Sequence, residues 1–143
     1  MAKLKQMVGQ IISSEERIVE DSLVRRYCKC FGLDPEKETN KKGHLRLPDP
    51  GVAAFGDFEG VVEQMGLKPR RILHNEETIA VIDPVYANEK LLVTTTIKEV
   101  FQKIVGGNPM GFIQIEVCGE KKSGQMAFLL HRLLLIRGGL PNR

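Results

Sequence analysis

The chain has 143 residues, 42% hydrophobic and 27% charged, the composition and size of one ordinary globular domain with a real core. Its net charge of +3, from 21 basic and 18 acidic residues, is small and dispersed. With no aromatic stacking platform beside the basic spots, it gives no grounds for nucleic-acid binding. The first stretch, MAKLKQMVGQII, is charged and lacks the apolar centre of a signal peptide, and no apolar run approaches the ~20 residues of a membrane span, so a cytoplasmic chain with no membrane segment is expected.

Residues 10–20 are mixed and compatible with a short strand. Asp21 then offers an N-cap. Leu23, Val24, Tyr27, Cys30 and Phe31 recur at helical spacing up to Gly32, which predicts a short amphipathic helix over 22–31. Cys28 and Cys30 form a C-x-C within this helix. Side chains two apart on a helix diverge, and no second ligand pair of zinc-like spacing exists, so the cysteines read as small core or boundary residues and no metal is expected.

Residues 33–50 contain three prolines and several lysines and read as a long loop. Residues 51–66 read as the next helix, with Val52, Phe55, Phe58, Val62 and Met65 along one face. Gly56 and Gly60 cost that helix about 1 kcal/mol each relative to alanine. Pro48 and Pro50 mark its start and Gly66 its end. Strands follow over 71–82, 89–105, 112–118 and 125–137. Gly106-Gly107-Asn108-Pro109 and GEKKSG are the turns between the last three. Ile113, Ile115 and Val117 alternate with Gln114 and Glu116, whereas the last strand is almost continuously apolar and predicts cover on both faces.

One apolar helix followed by a meander of long strands describes an α+β chain, a single hot-dog domain over 1–143 with a long central helix wrapped by an antiparallel sheet. No Walker loop, G-x-G-x-x-G, G-x-S-x-G or metal-ligand cluster is present, which argues against nucleotide hydrolysis, dinucleotide binding, serine hydrolysis and metal catalysis. No cofactor is expected.

The segment ILHNEETIAVIDPVYANEKLLVTTTIKEV resembles the MaoC-like hydratase/dehydratase group, especially its N-terminal-type, often non-catalytic halves. Leu73, His74 and Pro84 match the family's Leu-His…Pro, and Asn88-Glu89 stands where a Gly-Asp turn is usual. SLVRRYCKCFG and the final LLLIRG are similar as well, so the resemblance spans roughly residues 9–137. It implies an acyl thioester of coenzyme A or acyl carrier protein as ligand, and hydration of an enoyl thioester or dehydration of a 3-hydroxyacyl thioester as activity. It also implies sheet pairing into a homodimer or into a heteromer with a catalytic hot-dog subunit.

Active members carry G-D-x-N-P-x-H ahead of the central helix, where Asp and His activate water. Here Gly32 matches the glycine, Leu33 stands at the aspartate position with Asp34 beside it, and the first following histidine is His44. Asp34 and His44 are therefore the catalytic candidates, and the departure from the motif implies a non-catalytic subunit that shapes the acyl site, with an acyl-CoA thioesterase or a non-enzymatic acyl-thioester-binding module as the alternatives. Gly51, at the Pro-x-Pro-Gly lead-in, takes the family's oxyanion-donor position, with an ordinary helix start as the alternative. Val52 and Phe55 read as acyl-tunnel or core residues. His74 is a substrate-binding candidate, with a structural hydrogen bond as the alternative. His131 reads as a boundary histidine facing out. Asp49, Asp57, Glu59 and Glu63 lie where hot-dog thioesterases place a carboxylate, and Lys68, Arg70 and Arg71 suit a nucleotide phosphate such as that of coenzyme A, with solvated surface as the alternative for both groups.

Overall fold

The computed structural model describes residues 2–37, 39, 42–56 and 58–141, apart from the side chains of Ala2, Phe58, His74 and Asn75. Asp57 and the side chains of Phe58 and His74, all considered above, thus lie outside what is described.

Five antiparallel strands form one sheet in the order β1-β3-β4-β5-β2: β1 (Ile11–Ile18), β2 (Ile72–Val81), β3 (Lys90–Val105), β4 (Asn108–Lys121) and β5 (Met126–Arg137). The turn between β3 and β4 is the pair Gly106-Gly107, with φ of 59° and 82°. A two-residue hairpin with positive φ at both positions matches the right-handed twist of its strands, and glycine adopts it without strain. β4 is longer than the alternation over 112–118 suggests, because Val105 pairs Asn108 immediately beyond that turn.

Alternation sorts the sheet into two faces. Leu91, Val93 and Ile97 of β3, Ile113, Ile115 and Val117 of β4, and Phe128, Leu130, Leu134 and Ile136 of β5 are buried on the inner face. Leu129, Leu133 and Leu135 of β5 are only half-buried, so the expectation of cover on both faces of this strand is met in part.

The segment laid against the inner face is not the one long helix expected over 51–66. It consists of a 3₁₀ helix, Asp49–Phe55, and a separate α-helix, α3 (Phe58–Gln64). Gly56 between them is extended, with φ −77° and ψ 119°. Short helical pieces are marginal without packing, and two glycines within five residues lower propensity further, so the chain breaks where it costs least. Packing still holds both pieces. Phe55 stacks on Phe128 with centroids 5.8 Å apart, and Val52, Val61 and Met65 are buried.

α1 (Ala2–Gln6) has no counterpart in the sequence reading; its Leu4 is buried in the core. α2 (Asp21–Cys30) begins one residue before the expected helix. Asp21 is its first helical residue rather than its N-cap, and its carboxylate accepts from Arg25 Nε at 2.6 Å, which holds that guanidinium above its ordinary pKa. Gly32, at φ 67°, ends the helix as expected, and Leu33 N–H donates to Cys28 O at 2.8 Å. Cys28 is buried and Cys30 exposed, so the two do diverge, with Cys30 on the surface.

Candidate functional site

A recess of about 750 Å³ lies between α3 and the sheet at β5 and β2, a size typical of small-molecule sites. Val62 of α3, Leu67 and Pro69 of the following turn, Ile72 of β2 and Leu134 of β5 give it an apolar wall, and Glu59 and Glu63, one turn apart on α3, also line it.

Arg132 of β5 completes this wall. It stands on the inner face between Leu130 and Leu134 and is only 6% exposed. Its Nη2 donates to Glu77 Oε1 of β2 at 2.6 Å, across two paired strands. Burial pulls the guanidinium below its ordinary pKa, and Glu77 opposes that shift. A buried charge held this way needs its partner, because desolvation of a lone ion costs several kcal/mol. Neither residue belongs to a motif or to the expected site residues. The signal was present, since Arg132 occupies an inward position in the run Phe128, Leu130, Leu134, Ile136.

Of the expected site residues, His44 lies in a separate, shallower recess of about 390 Å³ with Lys42, Tyr86, Asn88, Glu89 and Lys121. Its Nδ1 is 3.5 Å from Asn88 Nδ2. Asn88 is the described non-glycine residue with positive φ, 73°, which explains physically why a Gly or Asn suits this turn. Glu89 accepts the Tyr86 N–H at 2.7 Å and, with Asp83, binds Lys121 Nζ at 3.2 and 3.1 Å. This corner is therefore a bonded clamp tying the end of β4 to the crossover between β2 and β3.

Asp34 is exposed, and its Oδ1 accepts the Glu36 N–H at 3.1 Å, capping the short 3₁₀ turn Pro35–Lys37. The described contacts of Asp34 and His44 do not join the two. Gly51 is buried beneath Leu47 and Tyr27, and its N–H donates to Pro48 O at 2.8 Å. That amide is engaged inside the 3₁₀ helix, which corrects the expectation of a free oxyanion donor. Val52 and Phe55 are buried in the core and do not line the recess beneath α3. His74 lies in β2, opposite Leu134. His131 is exposed and bonds Glu116 at 3.0 Å, as a boundary position predicts.

Among the described residues no helix is long and apolar enough to cross a membrane, and no group of three or more His, Cys, Asp or Glu is arranged to hold a metal ion. No protein-family model and no curated protein matches the sequence. The structure, however, is similar to solved ones. The C-terminally truncated HadBC (3R-hydroxyacyl-ACP dehydratase) complex from Mycobacterium tuberculosis matches with a TM-score of 0.67 at 13% identity, over 85% of this chain and 90% of that one. The ChsH1-ChsH2 complex from the same organism matches at 0.69 and 8% identity, over 99% and 94%. The unliganded R-hydratase PhaJ1 from Pseudomonas aeruginosa matches at 0.62 and 12% identity, over 91% and 81%. With its five-stranded antiparallel sheet packed on the Asp49–Gln64 segment, the chain has the hot-dog fold.

Proposed function

We propose that this chain is the acyl-thioester-binding subunit of a heteromeric enoyl-thioester hydratase or 3-hydroxyacyl-thioester dehydratase, and that a partner hot-dog subunit supplies the acid and base. The observation that carries this reading is the apolar recess beneath α3. Burying an alkyl chain there is favourable by about 0.8 kcal/mol per methylene. Lys68, Arg70 and Arg71 are exposed and flank Pro69, which lines the recess, so they suit the phosphates of a thioester carrier such as coenzyme A.

The division of labour follows from the chemistry. Adding water to an enoyl thioester needs a base within hydrogen-bond reach of that water and donors aimed at the developing enolate. Here Asp34 caps its own turn, His44 sits in the clamp at Asn88, and the Gly51 amide bonds Pro48. Two of the similar structures are complexes whose names pair two components, which supports a heteromer. The test is loss of enoyl-thioester absorbance when the purified chain meets a short-chain enoyl-CoA. Saturable binding without turnover is expected. Efficient hydration by the chain alone contradicts the proposal and makes His44 the first residue to replace.

A second reading rests on Glu59 and Glu63, which line the recess as a thioesterase carboxylate would. Acyl-CoA hydrolysis that disappears in Glu59→Gln or Glu63→Gln favours it, and no hydrolysis by the wild type removes it.

A further inference from the structure

The outer face of the sheet, opposite the recess, is ordered in bands. Register places Lys103, Met110 and Arg137 in one row across β3, β4 and β5. The next outward row is Phe101, Phe112, Leu135 and Leu73, apolar across four strands. The row after that is Glu99, Gln114, Leu133 and Glu76, followed by Thr96, Glu116, His131 and Thr78, in which His131 bonds Glu116. Lys98, in the β3 bulge, and His131 are basic side chains lining the shallow hollow beside Glu76.

Phe101 and Phe112 stack at 4.8 Å, with Lys103 Nζ 5.3 Å from the Phe101 ring centre. Leu73 is 39% exposed, and the other three side chains of the apolar row are half-buried. Scattered exposed apolar residues are ordinary on a protein surface, but a continuous row across four strands is a patch that a partner would cover.

The order basic, apolar, acidic identifies that partner. A two-fold axis lying along the apolar row turns the face over and reverses the strand direction. The apolar rows of two copies then meet, and each basic row faces the other's acidic row. An isologous interface requires this self-complementarity, and opposed charge bands fix its register. We propose that the outer sheet face pairs two copies of this chain back to back. The proposal stands apart from the reading of the recess, which lies on the inner face.

Two double variants of exposed residues test it. Lys103→Glu with Arg137→Glu makes both flanks acidic, and Glu76→Lys with Glu99→Lys makes both basic. Mass is measured by analytical ultracentrifugation at low salt, where exposed charges are least screened. Each variant alone is expected to form a smaller assembly than the wild type, and an equimolar mixture to return to the wild-type mass, because only unlike copies then match. Recovery on mixing also shows that both variants are folded. A monomeric wild type, variants of unchanged mass, or a mixture that fails to recover would each overturn the proposal.

Discussion

The recess beneath α3 and the corner at His44 are built from opposite materials. The recess has apolar walls drawn from α3, β2 and β5, with the buried ion pair Arg132–Glu77 at one side. The corner is polar, and its carboxylates and Lys121 bond to one another and to the backbone of the crossover. The first leaves an apolar-walled space unfilled, while the polar groups of the second bond to one another.

The largest effect separating the two regions is expected at the ion pair. Arg132→Ala leaves the largely buried Glu77 carboxylate without its guanidinium and should lower stability by about 3–5 kcal/mol in urea unfolding. Replacing both, Arg132→Met with Glu77→Leu, should recover most of that loss, since an apolar pair of similar volume replaces the charges. If the double variant is as unstable as the single one, the pair does more than neutralise itself.

Next comes filling the recess. Val62→Trp should weaken acyl-CoA binding at least about tenfold, corresponding to about 1.4 kcal/mol. His44→Ala should leave that binding unchanged. Equal losses from the two substitutions would erase the contrast drawn here.

At the corner, Asn88→Ala places an alanine at φ 73° and should cost about 1–2 kcal/mol, whereas Asn88→Gly should be tolerated. Smallest of all, His44→Ala should change stability by less than about 0.5 kcal/mol, the range of ordinary surface substitutions. Thermal or urea melts of the three variants check both statements.

Much of this architecture was legible in the sequence. β3 and the core of β4 declare themselves through alternation in LLVTTTI and FIQIEVC, and the Gly-Gly pair fixes the hairpin between them. Gly32 marks the end of α2. The break at Gly56 was not legible, because the apolar stripe from Val52 to Met65 continues across it and periodicity records faces rather than interruptions. The recess was hidden for a related reason. Val62, Ile72 and Leu134 each read as members of a packed face, and the space they line depends on how α3, β2 and β5 come together in three dimensions. Arg132 and Glu77, 55 residues apart, meet only through the β2–β5 register, which no local pattern supplies. The expectation for Gly51 went astray because a 3₁₀ helix bonds its amides one residue earlier than an α-helix and leaves fewer free at the start.

The most direct test of the account is a titration of the wild type and Val62→Trp with saturated acyl-CoAs of increasing chain length. Affinity for the wild type should rise about fourfold per methylene, from ~0.8 kcal/mol each, until the recess is full, with a flat series for Val62→Trp. A wild-type series as flat as the variant's would show that the acyl chain does not enter the recess and would contradict the central claim.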